Sequence, residues 1–301
     1  MPCYHPMDAY QSKWPKPNGK SSIYFPQQVQ NPSNYKAIKL PCGQCVGCRL
    51  ERSRQWAIRC THEASQYKNN CFITLTYSDK YLPDDGSLRM ADFQKFMKRL
   101  RKKYGDKIRF YHCGEYGEKL GRPHYHAIIF NFDFPDKYQY KKTKQGHAVF
   151  RSPSLEELWP FGISEIGSVT FESTAYVARY IMKKINGPAA DEHYMDPLTG
   201  VLKKPEYTTM SRRPGIGKNW FDKFHTDVFP SDEVVIKNMR MRPPKYYDRQ
   251  FELIDPDQFA IIKLQREDNA KKHLDDNTEA RLNAKEQVAN SRLSNLPRQL
   301  K

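Results

Sequence analysis

Long apolar runs are missing from this chain. Its mean hydropathy is −0.85, and no stretch approaches the roughly 20 consecutive apolar residues that a membrane-spanning helix needs. The first residues, Met1 to His5, show no basic-then-apolar segment of the kind that directs secretion. We therefore expect a soluble protein that does not use a membrane.

A nucleotide-binding phosphate loop is missing as well. Gly215, Gly217 and Lys218 resemble a fragment of one. However, the spacing Gly-x4-Gly-Lys-Ser/Thr is absent, and Asn219 stands where the hydroxyl residue belongs. The sequence thus predicts no nucleotide-driven motor.

Acidic side chains are too few to balance the basic ones. Thirty-four Asp and Glu face 50 Lys and Arg, which gives a net charge of +16. Such an excess is typical of a protein that binds a polyanion, and nucleic acid is the expected partner. A membrane surface is the other anionic candidate, but no basic helix with a continuous apolar face stands out. The 19 Tyr offer rings on which unpaired bases can stack, although most of them are expected in the core.

The seven cysteines are an odd number, which suits a reducing compartment better than a disulfide framework. Cys42, Cys45 and Cys48 form a Cys-x2-Cys-x2-Cys motif that supplies three thiolates. A structural zinc site needs a fourth ligand, for which Cys3, His5 and Cys60 are candidates and Cys3 is the expected one. The alternatives are three reduced thiols in a loop, or an iron–sulfur cluster that lacks its further cysteine near Arg52.

Composition divides the chain into four segments. Residues 1–68 are expected to form an extended arm with the cysteine motif and a basic helix, and residues 69–187 a folded core. Residues 188–255 are rich in turn formers and are expected to pack on that core. Residues 256–301 are highly charged, which predicts a helical or disordered tail.

The basic helix of the first segment is predicted from about Arg49 to Tyr67, because apolar residues recur there at helical spacing. Arg49, Arg52 and Arg54 cluster in its first two turns. We expect these three side chains to face DNA.

The 69–187 segment reads as an α+β core with the order β-α-β-β-α-β. This order predicts a ferredoxin-like split βαβ sandwich with a central antiparallel sheet. The predicted strands and helices follow the period of their apolar residues. The strands are 71–77, 107–116, 124–132 and 163–170, and the helices are 90–104, 154–159 and 173–185.

His124 and His126 are the most informative pair in this core. They lie two residues apart on a predicted strand, so both side chains share one face of the sheet. If the two middle strands form a hairpin, Glu115 lies across from them; Glu118 is a competing carboxylate in the connecting loop. Two imidazoles and a carboxylate suit Mn²⁺ or Mg²⁺ with open positions. The alternative is a pair of histidines that only bond to their neighbours.

Tyr176 and Tyr180 lie one helical turn apart, with Lys183 three residues beyond. A phenol attacks poorly at neutral pH unless positive charge stabilises its phenolate, and Lys183 and a cation would supply that charge. Two phenols permit two successive transesterifications in one site. The alternative is an amphipathic helix in which both tyrosines pack.

Three stretches resemble the motifs of a known family: Phe72–Tyr77, Gly114–His126 and Tyr176–Lys183. In this order they resemble the motifs of rolling-circle replication initiators, the HUH endonucleases. Within that superfamily the chain most resembles the replication initiation proteins of gokushovirus-type microviruses. This closer likeness rests on Pro41–Cys45, Tyr176–Tyr180 and Met210–Gly217.

The resemblance implies that His124 and His126 bind the metal, that Glu115 completes the site, and that Tyr176 and Tyr180 are nucleophiles assisted by Lys183. The implied activity is metal-assisted nicking and rejoining of single-stranded origin DNA, with a 5′-phosphotyrosine intermediate and a free 3′-OH. Basic residues in and beside these motifs are expected to contact DNA. They are Arg122, Arg179 and Lys184.

The implied partners are a host helicase and a host DNA polymerase, and the implied location is the host bacterial cytoplasm. Two positions depart from the family pattern: Tyr125 stands where a bulky hydrophobe is usual, and Arg179 where a lysine is common. The runner-up activities are those of a relaxase or single-strand transposase, and of a non-catalytic single-strand or RNA-binding module.

Overall fold

The computed structural model describes residues 3–17, 21–117, 120–143, 146–179, 189–196 and 199–294. Within these residues the protein is a mixed α/β structure. Its strands are β1 (Met7–Pro15), β2 (Ser21–Tyr24), β3 (Tyr35–Leu40), β4 (Asn70–Thr76), β5 (Arg109–Tyr116), β6 (Pro123–Phe130), β7 (Tyr138–Lys142), β8 (Ala148–Arg151), β9 (Ser164–Gly167), β10 (Tyr207–Met210), β11 (Val234–Ile236) and β12 (Met239–Met241).

The helices of the described residues flank or follow these strands. They are α1 (Val46–Ala64), α2 (Met90–Tyr104), α3 (Pro153–Leu158), α4 (Phe171–Arg179), α5 (Ala189–Tyr194), α6 (Lys218–Val228), α7 (Lys245–Ile254), α8 (Pro256–Lys271) and α9 (Glu279–Ser294). In this part of the chain no helix is both long and apolar enough to cross a membrane.

The chain divides into two compact units. Among the described residues, one comprises those from 3 to 51 together with residues 268–294, and the other comprises those from 52 to 267. The first unit holds a three-stranded antiparallel sheet in the order β2-β1-β3. The sequence predicted only an extended arm here, because the strands show no apolar alternation. Ala9 is their one fully buried side chain among those described, and tyrosine rings join them edge to face.

The second unit is built on a seven-stranded sheet in the order β10-β5-β6-β4-β9-β8-β7, and every neighbouring pair is antiparallel. Its four middle strands are those that the sequence predicted. The sequence predicted no strand in the charged stretch near Tyr138. This stretch forms the edge strand β7, whose side chains are all exposed, which is why no apolar alternation marks it.

One face of this sheet is covered by α2 and α3. The predicted apolar side of α2, formed by Phe93, Phe96, Met97 and Leu100, is buried as expected. These side chains pack with alternate residues of β4 and β6 around the fully buried Trp159. Burial of each large apolar side chain contributes roughly 1.5–3 kcal/mol.

The opposite face carries α1, α4 and the Met210–Gly217 stretch. Cys60 and Val177 pack there with Ile128 of β6. The fully buried Glu63 of α1 accepts hydrogen bonds from Arg109 Nε at 2.6 Å and from the Gly217 backbone N–H at 2.7 Å. The Met210–Gly217 stretch therefore has a structural role, because it packs against α1 and is hydrogen-bonded to Glu63.

His62, the residue before Glu63 in α1, is buried and neutral. Its Nδ1 lies 2.9 Å from the Tyr247 hydroxyl, and its ring stacks on Trp220. Burial lowers the pKa of His62 to about 3. Since protonation is favoured only on unfolding, this contribution to stability is complete above about pH 6.5 and is lost as the pH falls towards 3.

We expect His62→Phe, which keeps a ring but cannot titrate, to flatten the acid limb of the stability curve. Between about pH 7 and about pH 5, wild type should lose about 2 kcal/mol more unfolding free energy than the variant. Urea unfolding at both pH values measures this difference, and the exposed His193→Phe serves as control. Equal pH dependence in wild type and His62→Phe would contradict the assignment.

Candidate active site

The predicted hairpin of β5 and β6 is confirmed, and its register places Glu115 directly opposite His124. On the other side of β6, strand β4 pairs Thr76 with His124 and Thr74 with His126. Side chains of directly opposed residues point to the same face of a sheet. The two histidines, the carboxylate and the two threonines therefore share the face that α1 and α4 cover.

His126 is held from both sides of its ring. Nε2 lies 3.0 Å from Glu115 Oε1, and Nδ1 lies 3.0 Å from Thr74 Oγ1. Its ring also lies parallel to that of Phe72, with centroids 5.9 Å apart. His126 and Glu115 are both buried. A histidine fixed in this way presents one nitrogen in a set direction, as a ligand with an orienting partner does.

The geometry of this pair fits a divalent cation. Two ligands at right angles, each about 2.1 Å from the ion, lie about 3.0 Å apart, which is the distance between Glu115 Oε1 and His126 Nε2. The ring of His124 is centred 6.4 Å from that of His126. The structure therefore brings Glu115 and His126 to a distance that a shared cation or a direct hydrogen bond would give. His124 lies on the same face, but the three side chains do not bring their ligand atoms within 4.8 Å of one another.

Two glycines near Glu115 lie where a side chain would collide with a neighbouring ring, His124 at Gly117 and Tyr207 at Gly114. A Cβ at Gly117 would lie 2.6 Å from Cε1 and 3.0 Å from Nδ1 of His124. At Gly114 a Cβ would lie 2.9 Å from the Tyr207 ring. Sequence reasoning treated both glycines only as loop or motif residues. The structure gives Gly117 a definite role, since any side chain there would displace His124.

Tyr125, the residue between the histidines, anchors β6 from the opposite face. It is fully buried, and its hydroxyl accepts the Arg89 backbone N–H at 2.8 Å and lies 3.0 Å from the Tyr77 hydroxyl. Tyr77 in turn donates to Asp92 at 2.7 Å. A tyrosine therefore fits this position in place of a purely apolar residue, because its hydroxyl has hydrogen-bonding partners in Arg89 and Tyr77.

A cavity of about 130 Å³ opens beside His126. The residues that line it include Phe72, Thr74, Glu165, Thr170 and Ser173, which come from β4, β9 and the start of α4. The cavity offers both an aromatic wall and hydrogen-bonding groups next to the candidate ligands.

Helix α4, which contains Tyr176, is fixed at its start and along its length. Thr170 and Ser173 exchange backbone N–H to hydroxyl hydrogen bonds of 2.8 and 3.1 Å, a reciprocal cap. Thr174 Oγ1 lies 3.3 Å from Thr61 Oγ1 of α1, and α4 contacts β6. Helix α4, which contains the predicted nucleophile Tyr176, therefore lies over β6, the strand that contains His124 and His126.

Several predicted site residues fall outside what the structure describes. Tyr180, Lys183 and Lys184 are outside the described residues, and for Tyr176 and Arg179 only the helical backbone is described. The two-tyrosine arrangement thus stays a prediction.

The predicted DNA-binding arginines differ in their surroundings. Arg122 donates to the Tyr77 carbonyl at 2.8 Å and pairs with Asp79, so it ties the hairpin loop to the end of β4. Arg54 donates to the Arg242 carbonyl at 2.7 Å. Arg52 is exposed. Arg49 lies in the first unit, beside a hollow lined by Cys42 and Cys45.

The predicted zinc ligands come together. Cys3, Cys42, Cys45 and Cys48 place their sulfur atoms within 4.8 Å of one another, and within the described ranges no other set of three or more potential ligands is so close. Of the competing fourth ligands, Cys60 is buried in the second unit. The ring of His5 bonds to Glu286 at 2.6 Å.

Comparison with known proteins gives concordant matches. The family described as "Replication-associated protein ORF2/G2P" matches residues 70–185. Replication-associated protein VP4 of Bdellovibrio phage phiMH2K is 35% identical over 247 residues, which are 78% of this chain and 75% of that protein. Replication-associated protein ORF2 of Spiroplasma virus 4 is 34% identical over 78% of this chain and 75% of its own length. A third relative, replication-associated protein ORF4 of Chlamydia phage 1, is 31% identical over 70% of this chain and 53% of its own length. No solved structure matches.

We expect Gly117→Ala to weaken Mn²⁺ binding roughly tenfold to a hundredfold, the usual cost of disturbing the surroundings of a metal ligand. The added Cβ forces the His124 ring away. Isothermal titration with Mn²⁺ measures the effect. Gly167→Ala is the matched control in the same sheet, because its Cβ would meet Phe72 at an ordinary 3.4 Å. Unchanged Mn²⁺ affinity in Gly117→Ala would remove His124 from the site.

Proposed function

Because this chain belongs to the family of replication-associated proteins of gokushovirus-type microviruses, we propose that it initiates phage DNA replication by nicking and rejoining single-stranded origin DNA. The observation that carries this proposal is the Glu115–His126 contact of 3.0 Å, on a sheet face covered by the helix that contains Tyr176.

The strand order supports an endonuclease core of the HUH type. Strands β4, β5, β6 and β9 follow the order β-α-β-β-α-β with α2 and α3, apart from β7 and β8, which are inserted between β6 and α3. In space the four strands lie in the antiparallel order β9-β4-β6-β5. This is the arrangement of a ferredoxin-like split βαβ core. It brings the motif strands β4, β5 and β6 next to one another, so that β4 and the β5–β6 hairpin contribute to one face although α2 separates them in the sequence.

Glu115 and His126, with His124, would hold Mg²⁺ or Mn²⁺, which supplies Lewis-acid polarisation of a non-bridging phosphate oxygen. The chain's own contribution is to orient the ligands. Thr74 fixes the ring direction of His126, Gly117 admits the His124 ring, and Tyr125 fixes the strand from behind. Such preorganisation lowers the barrier because the ligands need no rearrangement during reaction.

In the proposed reaction one tyrosine hydroxyl attacks the phosphorus of the scissile phosphodiester. A bond forms between the tyrosine oxygen and phosphorus, and the bond from phosphorus to the 3′ oxygen breaks. The phenol loses its proton and the leaving oxygen gains one, which yields a 5′-phosphotyrosine and a free 3′-OH. Lys183 would stabilise the phenolate. A 3′-OH that attacks the phosphotyrosine reverses the step and rejoins DNA without ATP.

The second tyrosine extends this chemistry to replication. Tyr176 and Tyr180, one turn apart, would act in succession, so that one holds the displaced strand while the other cleaves the new junction. The +16 charge favours DNA binding, and the cavity beside His126 would accept a nucleotide at the cleavage point. Unwinding and extension would come from a host helicase and a host polymerase, because the sequence has no phosphate loop.

We expect His126→Ala to reduce nicking at least roughly a hundredfold, since it removes a cation ligand at the reacting phosphate. Labelled single-stranded origin DNA, incubated with protein and Mn²⁺ and then run on a denaturing gel, shows the covalent adduct as a shifted band. His193→Ala, at an exposed histidine of α5, should behave as wild type. DNA binding by His126→Ala should be preserved.

Full adduct formation by His126→Ala, or by wild type in excess chelator, would overturn the metal mechanism. DNA binding with no adduct from wild type at any cation concentration would favour a non-catalytic binding module.

We expect Tyr176→Phe and Tyr180→Phe each to retain cleavage at the remaining phenol and to lose circular rejoining, whereas the double variant forms no adduct. Mass spectrometry of the DNA-linked peptide identifies the attacking residue in each single variant. Tyr138→Phe, at an exposed tyrosine of β7, is the control. A single variant that cleaves and rejoins at the wild-type rate would show that its tyrosine takes no part.

A further inference from the structure

The first unit gathers four thiols from three separate places in its chain. Cys3 precedes β1, Cys42 and Cys45 lie in the turn between β3 and α1, and Cys48 lies in the first turn of α1. All four are free thiols, and none is bonded to another as a disulfide. The cysteines belong to the first unit and the candidate active site to the second, and the cysteines have no part in the proposed nicking chemistry.

The sulfur spacings match a single tetrahedral ion. Four thiolates at about 2.3 Å from zinc lie about 3.8 Å from one another. Cys3 Sγ lies 3.7 Å from Cys42 Sγ and 4.0 Å from Cys45 Sγ. A disulfide would require about 2.05 Å. Two packed thiols can reach these distances by simple contact, but here all four sulfur atoms lie within 4.8 Å of one another, as the ligands of one ion do.

Backbone N–H groups surround these sulfur atoms as they would surround thiolates. Cys45 Sγ accepts the N–H of Tyr4 at 3.4 Å and that of Cys48 at 3.5 Å. Cys42 Sγ accepts the N–H of Cys45 at 3.3 Å, and Cys3 Sγ accepts that of Cys42 at 3.2 Å. Hydrogen bonds to a charged acceptor favour its charged form, so the local backbone is arranged for metal-binding sulfur.

The first unit also has little else to hold it together. Its buried apolar residues, among those that the structure describes, are Cys3, Ala9, Val46 and Leu282. A segment with so small a core needs a disulfide, a metal or a partner to stay folded. Because Cys3 joins the start of the β2-β1-β3 sheet to the turn that opens α1, an ion at this point would close the unit.

The surrounding charges suit such a centre. Zinc with four thiolates retains two negative charges. Arg49 lies beside the hollow that Cys42 and Cys45 line, together with His5 and Glu286 of α9. The ring of His5 bonds to Glu286 rather than pointing to the sulfurs, which leaves the four-sulfur set as the complete ligand shell.

We propose that Cys3, Cys42, Cys45 and Cys48 bind one structural Zn²⁺ and that this ion holds the first unit folded. The direct test is elemental analysis of the full-length protein purified from zinc-supplemented cells under reducing conditions. Wild type and Cys71→Ala should each carry one more zinc per chain than Cys45→Ala. Cys71 is a buried thiol of the large sheet and outside the cluster, so it is the matched control.

The measured quantity is the difference in zinc content between variants and not the total, so that any zinc held by His124, His126 and Glu115 cancels. Replacement by Co²⁺ gives a second reading that needs no variant. A thiolate site produces a sulfur-to-cobalt charge-transfer band in the near ultraviolet, which nitrogen and oxygen ligands do not produce. The Cys45→Ala protein should lack this band, and His126→Ala should keep it.

Removal of the ion by a chelator should also expose residues 3–51 to limited proteolysis while residues 52–267 resist. The proposal is overturned if wild type and Cys45→Ala carry equal zinc and the cobalt protein lacks the thiolate band. Iron in place of zinc would overturn it as well, and so would disulfides among the four cysteines in protein purified under reducing conditions. None of these outcomes depends on whether the protein nicks DNA.

Discussion

The alignment of β4, β6 and β5 is the constraint on which the rest of the candidate site depends. Strand β6 is paired on both sides, and the pairing sets Glu115, His124, Thr74 and Thr76 on one face. A slip of one residue would carry all β6 side chains to the opposite face. The histidines would then enter the core under α2, and Tyr125 would lose its hydrogen bonds. The core packing therefore enforces the site geometry.

The covering elements are fixed by polar contacts inside an apolar layer. Glu63 binds Arg109 of β5 and the backbone of Gly217, and it thereby joins α1, the large sheet and the Met210–Gly217 stretch. Thr61 and Thr174 join α1 to α4. A buried carboxylate is costly unless its oxygens accept hydrogen bonds, so the partners of Glu63 fix the position of α1 on the sheet. The contact between Thr61 and Thr174 then fixes the position of α4 over β6.

Much of the central core could be predicted from sequence because periodic burial marks it. The apolar period of α2 gave both of its ends, Met90 and Tyr104, and the His-x-His alternation gave the shared face. Thr74 and Gly117 were not recognised as positioning residues, because their roles depend on a contact across strands and on space beside a ring. The first sheet and β7 were missed since they bury almost no side chains, so their backbone pairing leaves no pattern in the sequence.

The place of β6 in the sheet has a consequence for the way the protein fluctuates. With β5 and β4 on its two sides and β10 and β7 at the distant edges, β6 can release its backbone amides only when its neighbours separate. Edge strands fray at low cost, whereas the centre of a sheet opens close to global unfolding. Exchange of backbone amide hydrogens with solvent should therefore be slowest along β6. Partial melting at the rim would therefore leave the positions of Glu115, His124 and His126 intact.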